Sequence, residues 1–130
     1  YVNIPLGWSI PWLGVCYQPY AGGYVKSTAT IYVCDHEFKI VADQTRVHET
    51  GHHLYESILT QQEKDEWEKL FLRHKKMWLS HFNRQYSLTN SNECLADDMV
   101  TIYLSWKRNK LQNIRIRTIN KFLRNHNLTL

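Results

Sequence analysis

The chain has 130 residues, of which 43% are hydrophobic and 22% are charged, and its formal net charge is +4. This size and composition are typical of one globular domain, and they exclude collagenous, low-complexity and repeat architectures. We therefore expect a single domain over residues 1–130 with a buried core.

Two features of the sequence bear on its compartment. No segment approaches the roughly 20 apolar residues that a transmembrane helix requires, and residues 1–5 lack the basic end and hydrophobic centre of a signal peptide. The first residue is Tyr rather than Met, which indicates a processed chain or a fragment. We expect a soluble protein without a transmembrane segment, with secretion slightly favoured over the cytoplasm.

The three cysteines, Cys16, Cys34 and Cys94, lie far apart and form no CxxC pair. Their spacing excludes a zinc site built from cysteines alone and a dense disulfide framework. At most one disulfide could form, and we interpret the cysteines as small buried apolar side chains.

Strands are predicted only in the first forty residues. Residues 14–18 and 28–34 are rich in β-branched and aromatic residues, and residues 19–23 between them supply Pro and Gly for a turn. This pattern predicts a hairpin or a pair of neighbouring strands.

Helical periodicity begins after residue 40, and a first helix is predicted over residues 42–59. One face of this helix is apolar, with residues at spacings of 3, 4 and 7: Val47, Gly51, Leu54, Tyr55 and Ile58. The remaining faces carry two histidines and a glutamate: His48, Glu49 and His52.

Three further helices are predicted. The second begins at Thr60, where Thr60 and Glu63 form a capping box, and its apolar stripe is Trp67, Leu70, Phe71, Met77, Trp78 and Phe82. His74 and His81 lie on the same stripe and are interpreted as core histidines. A polar loop over residues 83–91 precedes a third helix over residues 92–106, and a fourth covers residues 117–125 with Ile119, Phe122 and Leu123 facing inward.

Residues 48–52 of the first helix read HETGH, which is an HExxH pattern. His48 and His52 are one helical turn apart on the same face, so both imidazoles can reach one metal ion, and Glu49 lies beside them. In such a site the metal lowers the pKa of a bound water to about 7, and a carboxylate such as Glu49 acts as general base. His53 points away from this face and receives no role.

A catalytic zinc requires a third protein ligand. Position 58 is Ile, which excludes the HExxHxxGxxH class. We select Glu93, in the first turn of the third helix, with Asp97 one turn further along the same face to hydrogen-bond a ligand histidine. Asp98 points elsewhere and is the weaker candidate. The alternative for Glu93 is that it caps its own helix.

The segment from Tyr86 to Asp97, downstream of HETGH, resembles the gluzincin metallopeptidases and most closely the catalytic domain of anthrax lethal factor and its relatives, including the Pro-Pro endopeptidases. That family pairs HExxH with a glutamate about forty residues later, as with His52 and Glu93, and has a tyrosine seven residues before this glutamate, as at Tyr86. The resemblance covers residues 28–125. Relatives carry aromatic residues and a second glutamate where this chain has Cys94, Leu95 and Asp97.

The resemblance implies an α+β, zincin-like domain: a small N-terminal β-sheet with an edge strand over the cleft, the HExxH helix and further C-terminal helices. It implies a zinc endopeptidase in which His48, His52 and Glu93 bind one Zn²⁺, Glu49 is the general base and Tyr86 stabilises the oxyanion. Residues 28–34 would be the edge strand along which an extended protein or peptide substrate binds through its main chain. The residues do not exclude a non-peptide amide as substrate.

Two other interpretations remain. Residues 107–130 hold seven basic residues and no acidic one, a charge of +7 against −3 for the rest of the chain. A non-catalytic zinc-containing module whose basic C-terminal helix contacts nucleic acid is therefore the alternative function, and a solvated helix face is the simpler explanation of the charge. The third interpretation is a catalytic domain kept latent by a terminal segment.

Overall fold

The fold is given by a computed structural model that describes residues 2–4, 9–10, 14–15, 22–34, 39–78, 90–104 and 110–128. Side chains are described for residues 22–33, 42–75, 90–104 and 110–128. A small N-terminal sheet precedes four helices, which confirms the α+β class.

The described strands form two sheets. The larger contains β1 (Val2–Ile4), β4 (Gly22–Val25) and β5 (Thr30–Cys34) in the order β1-β5-β4, with β1 parallel and β4 antiparallel to β5. The smaller is an antiparallel pair of β2 (Ser9–Ile10) and β3 (Gly14–Val15). A single turn of 3₁₀-helix over Lys26–Thr28 connects β4 to β5.

Two strand predictions are wrong. The strand at residues 14–15 pairs with β2 rather than with residues 28–34, and β5 lies in the centre of its sheet, so it cannot be the edge strand. The reason is that residues 2–4 form a parallel strand on one side of β5, a pairing that leaves no local sequence signal. In the described part of the sheet, β1 and β4 are the edges.

Helix α1 (Lys39–His53) continues as one wider π-helical turn over Leu54–Ile58. Together they cover the predicted helix except for its last residue, Leu59, which is extended. It packs on both β4 and β5. Gly22 makes this approach possible, because a Cβ atom at this position would lie 2.3 Å from Tyr32 O and 2.8 Å from Thr45 Cγ2. Tyr24 joins the same strand to the end of the helix by hydrogen bonds to His53 Nδ1 at 2.9 Å and Ser57 Oγ at 2.6 Å.

Helix α2 (Gln61–Trp78) begins with the predicted capping box. The Glu63 amide donates to Thr60 Oγ1 at 3.2 Å, and the Thr60 amide donates to Glu63 Oε1 at 2.9 Å. His126, directly after the last residue of α4, also contacts this cap. Its Nε2 atom lies 2.6 Å from the same Glu63 oxygen, so the start of α2 is joined to the end of α4. Residues 79–82, which were predicted to continue α2, lie outside the described part of the chain.

Helix α3 (Ser91–Tyr103) is capped by Asn90, whose side chain accepts from the Glu93 amide at 2.8 Å. Helix α4 (Lys110–Asn125) starts seven residues before its predicted beginning. The prediction relied on apolar spacing near the end of the chain, whereas Arg115 and Ile116 in the earlier half of α4 are also buried against the neighbouring helices.

The core lies among α2, α3, α4 and the π-helical turn. It includes the predicted inward residues: Leu54, Trp67, Leu70, Phe71, Ile119, Phe122 and Leu123. His74 is 3% exposed, which confirms its interpretation as a core histidine, and Cys94 is a buried free thiol as predicted. His81 and the side chains of Cys16 and Cys34 lie outside the described residues.

Among the described helices, none has the length and apolar character needed to cross a membrane.

Candidate metal centre

The centre forms where α1 crosses α3 at very short distance. A Cβ atom on Gly51 would lie 2.6 Å from the Cα atom of Ala96, so only glycine fits at this contact. On α1, His48 lies three residues before Gly51 and His52 directly follows it. On α3, Glu93 lies three residues before Ala96 and Asp97 directly follows it. The close contact therefore brings the two histidines of one helix to the two carboxylates of the other.

Three side-chain atoms converge at this crossing. His48 Nε2 lies 3.2 Å from His52 Nε2, and Glu93 Oε2 lies 3.1 Å and 3.3 Å from these two nitrogens. Zinc bonds of about 2.0 to 2.1 Å in a tetrahedral arrangement separate the ligand atoms by roughly 3.3 to 3.4 Å. The triangle formed by the three atoms has nearly these dimensions.

The Glu93 carboxylate shows how well the cluster fits a cation. Its Oε2 atom is buried and, although two ring nitrogens are close, it has no hydrogen-bond partner among the described residues. A buried carboxylate oxygen in such a place requires a positive charge beside it, which either a protonated imidazole or a bound cation supplies. Asn90 caps α3, and the Glu93 side chain faces the two histidines.

The outward-facing nitrogens of the two histidines are held by α3. His48 Nδ1 lies 3.2 Å from Asp97 Oδ1, which places Asp97 behind the ring as the sequence predicts. His52 Nδ1 donates to Asn92 Oδ1 at 2.7 Å, and Asn92 Nδ2 donates in turn to Glu56 Oε1 at 3.0 Å. In the neutral rings, these contacts favour the tautomer with the proton on Nδ1, which leaves both Nε2 lone pairs for a metal.

Asn92 was missed in the sequence analysis. The available sequence signal was that Asn92 directly precedes the predicted ligand Glu93. Its hydrogen bond with His52 could not be predicted, because it depends on how α3 packs against α1. A carboxylate behind one histidine and an amide behind the other also make the two sides of the cluster electrostatically different.

The electrostatics of the cluster favour positive charge. Burial lowers the pKa of His48, but the hydrogen bond with Asp97 and the nearby Glu93 carboxylate outweigh this and raise the pKa to about 10. Burial also lowers the pKa of His52, but its contacts with Glu93 and Asn92 outweigh this, so the pKa of His52 is raised as well. Burial raises the pKa of Glu93, whereas its contacts with the two imidazoles lower it to about 2.

Glu49 lies beside the cluster and on the face of α1 that packs on the sheet. It is 8% exposed, and its carboxylate is within 4.8 Å of the ligand nitrogens of both histidines. Thr45 and His53, one turn before and one turn after it, contact β4. Burial raises the pKa of Glu49, and the imidazoles oppose this only in part.

His48, Glu49 and His52 thus form a group that could hold a metal ion. Glu93 is the closer third donor, because its oxygen is 3.1 to 3.3 Å from both ring nitrogens. The remaining predicted residue, Tyr86, lies outside the described part of the chain.

Comparisons with protein-family models, with curated proteins and with solved structures give no match to this chain.

The basic C-terminal segment is partly neutralised within the domain. Arg115 is 2% exposed and forms an ion pair with Asp98, and Lys121 forms an ion pair with Glu66. Lys107 and Arg108 lie outside the described residues. Among the described cations of this segment, Lys110, Arg117 and Arg124 are exposed.

Proposed function

We propose that the protein is a zinc-dependent endopeptidase with a zincin-like fold. The convergence of His48 Nε2, His52 Nε2 and Glu93 Oε2 within 3.1 to 3.3 Å of one another, with the buried Glu49 alongside, is the observation that supports it. Three ligands of this kind leave one coordination position open for chemistry, whereas structural zinc sites are closed by four protein ligands.

The donor set favours zinc over magnesium and calcium. Two imidazole nitrogens and one carboxylate oxygen are typical of catalytic zinc sites, whereas magnesium and calcium prefer sites built from oxygen ligands. Asp97 and Asn92 would keep both imidazoles in the tautomer that presents Nε2.

Each residue would have a separate task in hydrolysis. When bound, zinc lowers the pKa of a water molecule and polarises the substrate carbonyl. The Glu49 carboxylate would take the proton of the attacking water and deliver it to the leaving amine, a task that suits its raised pKa. We propose Tyr86 as the hydroxyl donor that stabilises the oxyanion.

We propose β4 as the strand along which an extended peptide binds. In the described residues β4 pairs only with β5, so its other edge has unpaired main-chain groups. Its residues Gly22 and Tyr24 contact α1 on either side of Glu49, which places this edge next to the proposed general base. Binding through main-chain hydrogen bonds would impose little side-chain selectivity.

The proposal is tested with purified wild type, Glu93→Gln and Glu49→Gln. We expect about one zinc per chain in the wild type and in Glu49→Gln, and markedly less in Glu93→Gln, by elemental analysis. On a mixed peptide library, Glu49→Gln should lose about 10²- to 10⁴-fold in cleavage rate. Glu68→Gln, at a half-buried position of α2 outside the cluster, is the matched control and should behave as the wild type.

Two results would overturn the proposal. One is cleavage that persists in Glu49→Gln or after removal of zinc by a chelator. The other is a wild type that binds no zinc even when the metal is supplied. If zinc binds but no peptide or amide is cleaved, and the protein is retained on nucleic acid at about 50 mM salt, the non-catalytic binding module becomes the better explanation.

A further inference from the structure

The first turn of α3 carries two groups of the proposed centre, Asn92 and Glu93, and it is held by residues of other segments. Ser91, the first residue of α3, is 6% exposed and contacts two aromatic side chains. Trp67 Nε1 of α2 donates to the Ser91 carbonyl at 2.8 Å, and the Tyr55 hydroxyl lies 3.3 Å from Ser91 Oγ.

The position of this turn decides whether Glu93 can reach both histidines. The amides of the first helical turn have no acceptor within the helix, and this turn opens more readily than the helix centre. Groups of a functional site must be held to within about 0.5 Å of their working positions. A hydrogen bond to the carbonyl of Ser91, two residues before Glu93, therefore acts where a small displacement matters most.

Trp67 is itself held firmly. It is 0% exposed, and its ring makes an edge-to-face contact with Phe122 of α4, with centroids 6.5 Å apart. Its indole nitrogen can point at the Ser91 carbonyl only while α2 and α4 keep their packing. Trp67 thus links the hydrophobic core to the first turn of α3.

We propose that Trp67 is a positioning residue of the metal centre, which it serves by fixing the first turn of α3 through its indole N–H and so placing Glu93 against His48 and His52. The proposal rests on the proposed function, because it assumes that these residues bind zinc. It assigns a role in metal binding to a residue of α2 outside the HExxH segment and its downstream glutamate.

Trp67→Phe tests the proposal, since it keeps an aromatic ring in the core and removes only the N–H donor and part of the ring. Zinc affinity is measured by competition with a chromophoric chelator, at a temperature where circular dichroism shows each variant fully folded. We expect the zinc Kd to rise about three- to tenfold. Leu70→Ala is the matched control, because Leu70 is also buried on α2 but its aliphatic side chain makes no hydrogen bond to Ser91; its zinc Kd should be unchanged.

Tyr55→Phe is the second variant, and it removes only the hydroxyl near Ser91 Oγ. We expect a rise of about twofold in the zinc Kd, so that the test stands if Trp67→Phe does not fold. An unchanged Kd in the variants that fold overturns the positioning role while leaving the proposed function intact. An equal loss in Leu70→Ala also overturns it, because general weakening of the core then explains the effect. A wild type that binds no zinc overturns both proposals.

Discussion

Asp97 and Asp98 are neighbours on α3 and have opposite surroundings. Asp98 faces the core, is 3% exposed, and accepts two hydrogen bonds from Arg115, from Nε at 2.6 Å and from one terminal guanidinium nitrogen at 3.1 Å. Asp97 faces α1, where its Oδ1 lies 3.2 Å from His48 Nδ1. One helix therefore carries a structural ion pair on one side and the candidate metal centre on the other.

The difference shows how the partner decides what a carboxylate can do. Arginine is always charged, so Arg115 presents a fixed positive charge to Asp98 and opposes the rise in the pKa of Asp98 that burial causes. Histidine titrates and binds metals, so the Asp97 side of α3 can exchange a proton for a metal ion. The core side should thus control stability and the other side zinc affinity.

The largest expected effect is on the core side. Asp98→Ala leaves the buried charge of Arg115 without its partner, and we expect the free energy of unfolding to fall by about 3 to 5 kcal/mol in urea denaturation. The double variant Asp98→Leu with Arg115→Met should recover much of this loss, because no buried charge remains. A loss below about 1 kcal/mol in the single variant would contradict the structural role of the pair.

The matched change on the other side is Asp97→Ala. It removes the acceptor behind His48, and we expect the zinc Kd to rise about 10- to 100-fold in a chelator competition. The unfolding free energy of the metal-free protein should also fall, because Asp97 accepts a hydrogen bond from His48, but by only about 1 to 2 kcal/mol, less than in Asp98→Ala. If Asp97→Ala instead lowers the unfolding free energy as much as Asp98→Ala does and leaves the zinc Kd unchanged, the two sides of α3 do not differ in this way.

A pH scan sharpens the comparison on the core side. Burial, together with the charges of Arg115 and Arg73, lowers the pKa of His74 to about 4 from 6.5. At this histidine the unfolded chain binds one more proton than the folded chain between these two values, so the contribution of His74 to stability is complete above about pH 6.5 and is lost towards pH 4. The expected slope is up to about 1.4 kcal/mol per pH unit.

This slope is measured by urea denaturation at several pH values in the wild type and in His74→Leu. The variant should show a shallower dependence, because it lacks the group that gains the proton on unfolding. An identical slope in both proteins would show that other groups cause the acid sensitivity.

The smallest effect is expected away from both sides of α3. Thr60→Ala removes one half of the capping box of α2 and should cost about 1 kcal/mol of unfolding free energy, measured by urea denaturation. Zinc affinity should not change, because Thr60 contacts neither the histidines nor α3 in the described structure. A loss of zinc affinity in this variant would mean that the metal centre responds to any loss of stability.

Features with a local cause were the ones that could be predicted from the sequence. The capping box of α2 and the inward faces of α1 and α4 follow from helical spacing and from contacts between residues three or four positions apart. The same spacing explains why Asp97 and Asp98 were expected on different faces. The identity of Arg115 as the partner of Asp98 could not be predicted, because it depends on where α4 packs.

The sequence by itself determined which residues can form the candidate centre. His48 and His52 are one turn apart on α1, and Glu93 and Asp97 are one turn apart on α3, because an α-helix repeats every 3.6 residues. Only the tertiary structure decided that Gly51 and Ala96 bring these pairs together, that Asn92 lies behind His52, and that β5 is central in its sheet. The physical reason is that periodicity acts over a few residues, whereas these contacts join segments far apart in the chain and exist only when the helices and strands have packed.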